Sequence, residues 1–209
     1  MESTMSKKTT SSSGEDRRKH IRKLVVTAMF SAVAFILMFI EFSVPLMPSF
    51  IKLDISELPA LIAAFAYGPL SGVAVCLVKN LLHLFITSTG GVGELSNFIL
   101  GAVFVYPAGL IYRKHSTRAG AFGGAMAGAA LMAVLSVASN ALIVYPVYYN
   151  FMPKEVILGA YQAIFPGVHS ILQSLIVFNM PFTFVKGVIS VVFVVLFYNR
   201  IIPVLRMEE

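Results

Sequence analysis

Runs of apolar residues dominate the chain, and polar or helix-breaking residues cut them into six segments. The first is Leu24–Phe42, followed by a loop with Pro45 and Pro48 that ends near Asp54 and Glu57. The second, Leu58–Tyr67, is short: ten residues at 1.5 Å rise cover roughly 15 Å, about half of a 30 Å hydrocarbon core. Gly68-Pro69 breaks it, and a third segment runs Leu70–Ile86. After the Gly-rich stretch Thr87–Glu94, the fourth runs Leu95–Tyr112 and stops at Arg113, Lys114 and His115. The fifth, Ala119–Tyr149, opens with GAFGGAMAGAA, small residues at helical spacing that let helices pack closely in lipid. A loop, Asn150–His169, leads to the sixth, Ile171–Tyr198. The pattern predicts an all-α integral membrane protein: a six-transmembrane-helix bundle with a short second helix. Residues 1–20, Ser/Thr-rich, charged and without apolar period, predict a disordered tail, and residues 21–209 a single membrane domain. The apolar run after the tail ends at Glu41 with no small-residue cleavage pattern, so it reads as a retained helix rather than a signal peptide.

Composition agrees. The 209 residues are 57% hydrophobic and 12% charged, about half the charge of a soluble globular chain. A pI near 9.5 raises nucleic acid as a partner, but the basic residues flank apolar runs, as topology signals do, and nucleic acid is excluded. Lys7, Lys8, Arg17, Arg18, Lys19, Arg22 and Lys23 precede segment one; Arg113, Lys114 and Arg118 join segments four and five; Arg200 and Arg206 close the chain. These are twelve of the 16 Lys and Arg residues, so both termini are expected on the cytoplasmic side of a bacterial cell membrane. Lys52 and Lys154 fall in opposite loops, and Lys79 and Lys186 lie inside apolar segments.

A charge at mid-membrane costs about 2.5–3.5 kcal/mol and marks function by default. Lys186, 14 residues before Arg200, stands roughly 21 Å above the cytoplasmic edge. Asn140 and the pair Glu94 and Asn97 reach the same outer depth from two other helices, and Thr183 shares a face with Lys186. This constellation predicts a small-molecule pocket beneath the first loop, against the plainer alternative that Lys186 pairs with Glu94 and Asn140 bonds a neighbouring helix. Lys79 either lines that pocket, pairs with a carboxylate such as Glu94, or anchors the third helix. Asp54 and Glu57 read as loop charges capping the second helix, or as groups ordering the first loop over a ligand. His83 and His169 have no ligand-spaced partners, so no metal is expected. Gly91-Val92-Gly93 lacks the third glycine of a dinucleotide fingerprint, and there is neither a phosphate loop nor a catalytic grouping. The chain is not expected to be an enzyme. Ala28 and Ala32, four apart on the first helix, suit close helix packing, and spacing alone favours packing inside the bundle.

The stretch PSFIKLDISELPALIAAFAYGPLSGVAVCLVKNLLH (48–83), then GGVGELSNFILG (90–101), resembles the riboflavin-specific substrate-binding (S) components of energy-coupling factor (ECF) transporters, the RibU type. MPFTFVKG (180–187) is similar to the family's P-F-N-x-x-K-G segment. The resemblance implies a six-helix bundle with an outward vitamin pocket, riboflavin as transported ligand, no cofactor, and a complex with a transmembrane coupling subunit and two ABC-type ATPases. It places the helix-six lysine on Lys186 and the helix-five asparagine on Asn140, and it gives Ala28 and Ala32 to the coupling subunit. The family's helix-six asparagine falls on Thr183, which has one hydroxyl where an amide has donor and acceptor; Asn179, one turn earlier, is the candidate substitute, and Asp54 belongs to the loop over the ligand. The alternatives are an S component for another vitamin, or a self-sufficient ion-driven carrier, which would often show internal repeats; none is present.

Overall fold

The computed structural model describes residues 2–48, 51–87 and 90–206. The chain is almost wholly helical. Among the described residues, five helical stretches are long and apolar enough to cross a membrane: Asp16–Met38, Pro69–Ile86, Val92–Lys114, Arg118–Tyr148 and Ile171–Arg200. The short apolar helix Glu57–Tyr67 is the remaining one that the sequence anticipates.

Helix α1 (Glu2–Met38) extends through residues 2–20, where a disordered tail was expected. Lengthening an existing helix fixes one residue per hydrogen bond gained, whereas starting one fixes several, so polar residues without strong breakers continue it. Strands β1 (Phe42–Ser43) and β2 (Lys52–Leu53) pair antiparallel, Phe42 opposite Leu53 and Ser43 opposite Lys52. Helix α2 (Glu57–Tyr67) is buried along nearly its whole length between α1, α3 (Pro69–His83), α4 (Val92–Lys114) and α9 (Met180–Arg206). Its even mix of Ala, Leu, Ile and Phe, without an apolar stripe, is the pattern of a helix enclosed on all sides. Gly68, at φ 95°, makes the turn into Pro69 that an L side chain would strain.

Helix α5 (Arg118–Ser139) lies against α4 as the small-residue run anticipates. A Cβ on Gly128 would sit 2.3 Å from the Phe104 carbonyl oxygen, and one on Gly124 would sit 2.8 Å from that of Ala108. Glycine is what allows the two backbones to meet. Two apolar segments read as continuous helices each contain a π turn. Residues Asn140–Val144 join α5 to α6 (Tyr145–Tyr148), and Leu175–Asn179 join α8 (Ile171–Ser174) to α9. Between them, where a plain loop was expected, α7 (Lys154–Gln162) folds over both π turns. Its Ile157 and Tyr161 complete a second apolar cluster with Val144, Tyr145, Val168, Ile171 and Leu175. Ile157, Leu158 and Tyr161 are spaced i, i+1, i+4, too short a period to stand out in a nine-residue helix.

The outward faces carry large exposed apolar side chains, among them Leu24, Val25, Met29, Leu81, Leu142 and Leu196. An apolar exterior of this extent requires a hydrocarbon surrounding.

Candidate functional site

A cavity of about 340 Å³ opens beneath the first loop, bounded by that loop and by α1, α2, α3, α4, α5, α6 and α9. Of the residues the sequence nominates, Asp54, Glu94, Asn97, Asn140, Asn179, Thr183 and Lys186 all line it. Lys79 does not. It is wholly buried behind the wall, its Nζ 2.6 Å from Ser56 Oγ and 3.0 Å from Glu57 Oε1. Its partner is therefore Glu57 of α2, which itself lines the cavity, and not Glu94.

Lys186 does not pair with Glu94 either. Its Nζ donates to Asp54 Oδ2 at 2.8 Å and approaches Glu57 Oε2 at 3.2 Å. Asp54 Oδ1 in turn accepts from the Ser56 backbone N–H at 2.9 Å and from Ser56 Oγ at 2.5 Å. Two carboxylates and two ammonium groups thus form one cluster tying the first loop, α2, α3 and α9 together. A buried ion set of this kind is tolerable because it is balanced and hydrogen-bonded. Burial alone would raise the Asp54 pKa, but the Lys186 and Lys79 ammonium groups outweigh it and hold the carboxyl well below the usual range.

Glu94 faces the opposite wall. Its Oε1 is 2.7 Å from His83 Nδ1, and its Oε2 accepts from Thr87 Oγ1 at 2.9 Å. At the rim, Lys52 bonds Glu41 across the hairpin at 2.5 Å. Each lysine lining the cavity is already matched by a carboxylate, so the polar side offers no unclaimed ammonium group to an anionic ligand.

Asn140 sits at the first residue of its π turn, and its Nδ2 donates 2.8 Å back to the Ser136 carbonyl. That leaves Oδ1 as the acceptor on the cavity side. Asn179 ends the other π turn. A π turn rotates the residues beyond it relative to an unbroken helix, and such turns recur at functional sites. The apolar walls come from Met38, Ile51, Leu100, Met132, Val144 and Phe182, with Tyr145 and Tyr148 beside them. Flat apolar walls with a few placed polar groups define a small-molecule site. Sequence reasoning missed Tyr145 and Tyr148, because aromatics near a segment end read equally well as membrane-interface residues, and Phe182, because a phenylalanine inside an apolar run reads as ordinary packing.

Ala28 and Ala32 are exposed on α1, whereas Ser31, Ala34 and Met38 form its buried face. The inward packing that spacing alone favours is thus not realised, and the small-residue stripe faces outward.

A cavity open beneath the first loop, an apolar exterior and crossing helices together define a membrane protein with a small-molecule site within its own bundle. The comparisons narrow this further. The family model "ECF transporter, substrate-specific component" matches residues 22–198, and the chain belongs to that family of multi-pass membrane proteins. It is 35% identical over 182 residues to the riboflavin transporter FmnP of Bacillus subtilis, covering 85% of this chain and 90% of that one. It is 36% identical over 187 residues to the riboflavin transporter RibU of Staphylococcus aureus, covering 88% and 93% respectively. A solved structure described as the S component of a bacterial ECF transporter superposes with a TM-score of 0.70 at 29% identity, covering 90% of this chain and 99% of that one.

Proposed function

We propose that this chain is the riboflavin-binding S component of an ATP-driven ECF importer. It captures riboflavin from outside the cell and delivers it inward together with a transmembrane coupling subunit and two ATPases. The short α2 counts as the sixth helix, residues 1–20 form a cytoplasmic extension of the membrane domain, and both termini face the cytoplasm.

The observation that carries this reading is the cavity under the first loop, whose lysines are each paired with a carboxylate, in a chain related along most of its length to proteins named as riboflavin transporters. Riboflavin is flat, aromatic and uncharged, with an imide edge and a polyhydroxyl chain. The apolar and aromatic walls take the ring. Lys186, Asn140, Asn179 and Thr183 serve its carbonyl and imide edge, while Asp54, Glu94 and Asn97 serve hydroxyls. Lys79 supports from behind by fixing Glu57 and Ser56. Ala28 and Ala32 meet the coupling subunit, their small side chains letting a partner helix approach closely.

The test is a titration of the detergent-purified chain, without partners or ATP, by flavin fluorescence. Saturable quenching at or below micromolar riboflavin is expected. A folded protein that gives no saturable quenching overturns the ligand assignment.

A further inference from the structure

Asn179 lines the cavity, yet half of its amide is already committed elsewhere. Its Oδ1 accepts a 2.7 Å hydrogen bond from the Tyr161 hydroxyl of α7. That hydroxyl lies 2.5 Å from the Tyr145 hydroxyl, which stands just beyond the other π turn. Tyr161 is fully buried and Tyr145 nearly so. A phenol has a single proton to donate. With Tyr161's proton directed to Asn179 Oδ1, the contact between the two phenols is filled by the proton of Tyr145. The chain runs one way, from Tyr145 through Tyr161 to Asn179.

Direction matters because a carboxamide is polar end to end. With Oδ1 held by Tyr161, the amide presents its NH₂ end, a donor, to the cavity. Turning it over would set NH₂ against Tyr161 and reverse both phenol protons: Tyr161 would then donate to Tyr145, and the buried Tyr145 O–H would lose the acceptor it now has in Tyr161. Asn140 is fixed in the opposite sense. Its Nδ2 is held by the Ser136 carbonyl, which leaves an acceptor for the ligand.

We infer that Tyr161, backed by Tyr145, is a positioning residue that sets the polarity of Asn179, so that this part of the cavity selects a hydrogen-bond acceptor on the ligand, a carbonyl or ring nitrogen. Taken with Asn140, the two fixed amides read a donor and an acceptor, the pairing found along a lactam or imide edge. The inference rests on the riboflavin reading and deepens it, because a flavin ring carries both kinds of group.

Riboflavin dissociation constants of the purified full-length chain, from fluorescence quenching at pH 8, test it. The variants are Asn179→Leu, Asn179→Asp, Tyr161→Phe and the double Tyr161→Phe/Asn179→Leu, with gel filtration confirming folding. Asn179→Leu loses one donor and weakens binding about 10-fold, and Tyr161→Phe, by freeing the amide, weakens it roughly 3- to 10-fold. Asn179→Asp, which offers an acceptor where the ligand also has one, binds more weakly than Asn179→Leu. In the Asn179→Leu background Tyr161→Phe costs nothing more. Tyr145→Phe gives the same pattern on a smaller scale and serves if Tyr161→Phe does not fold. An equal cost of Tyr161→Phe in both backgrounds overturns the positioning role, and wild-type affinity in Asn179→Asp overturns the polarity. Absence of binding by the folded wild-type chain overturns instead the riboflavin reading on which both stand.

Discussion

Lys186→Met separates the two tasks that the structure gives Lys186. The lysine faces the ligand cavity and also neutralises Asp54, with Nζ–Oδ2 at 2.8 Å. At an effective dielectric constant near 20, a pair at that distance attracts by about 6 kcal/mol before desolvation. Removing one partner of a buried pair typically costs about 3–5 kcal/mol. Asp54 keeps its two bonds to Ser56 and the field of Lys79, and Glu57 keeps its bond to Lys79. The expected loss therefore falls below that range, about 2–3 kcal/mol, or roughly 5–10 °C in the melting temperature of the ligand-free protein. From the sequence alone, deleting a costly intramembrane charge is expected not to unfold the bundle; the ion cluster adds a measurable loss. Asp54→Asn with Lys186→Met removes both charges and should restore the melting temperature to within about 1 kcal/mol of wild type. Riboflavin affinity should not recover, because the charged donor is still absent, and a loss of about 10- to 150-fold should persist. The assays are thermal unfolding in detergent and flavin titration on the same three preparations. Wild-type stability in Lys186→Met, or a double variant no more stable than the single, refutes the charge-cluster account. Recovered affinity in the double refutes the ligand role.

FMN should bind more weakly than riboflavin, because the lysines lining the cavity are each matched by a carboxylate and leave a phosphate without an unclaimed cation; competition titration with equal affinities would contradict this. Ala28→Leu with Ala32→Leu should preserve riboflavin binding while abolishing ATP-dependent uptake and co-purification of the coupling subunit, since both side chains are exposed on α1 and neither lines the cavity. Gly128→Ala should destabilise the bundle, because its Cβ would lie 2.3 Å from a backbone oxygen of α4; an unchanged melting temperature would contradict the close approach. Asp54 has a depressed folded-state pKa, so its contribution to stability is present above the unfolded value near 3.8 and is lost as pH falls through the lower folded value. Thermal stability should thus be insensitive to this group between pH 5 and pH 8, checked by melting scans across that range.

The bundle is legible from apolar segments and their breakers because the lipid-facing surface must be apolar whatever packs inside. The membrane-crossing helices, α3 among them, fall within a few residues of where the sequence puts them for that reason, whereas α2 is legible from its Gly68-Pro69 break and the α4–α5 contact from its run of small residues. Elements outside the hydrocarbon follow other rules. Helix α7 owes its existence to tertiary packing of Ile157 and Tyr161 over two π turns, and the first-loop hairpin to a two-residue pairing. Neither leaves a periodic trace. The π turns themselves are invisible in composition, since an extra residue in a helix changes no hydrophobic count.

The site shows the same division more sharply. Depth along a helix follows from counting residues, and it brings Glu94, Asn97, Asn140, Thr183 and Lys186 to one cavity as anticipated. Which group bonds which depends on rotation about the helix axes and on what lies between. Counting pairs Glu94 with a lysine, yet α2 inserts Glu57 between Lys79 and Lys186 so that each bonds one of its oxygens, and Glu94 is left to His83 and Thr87. A helix too short to span the membrane thus has a definite task. Its N-terminal Glu57 and the adjoining Ser56 carry carboxylate and hydroxyl to the depth of the cavity, where they fix two lysines and, through Asp54, the loop above the ligand. A full-length helix in its place would put an apolar flank there, strand the Lys79 ammonium group in a low-dielectric interior and leave Lys186 with Asp54 alone, at the energetic penalty that keeps unpaired charges out of such positions.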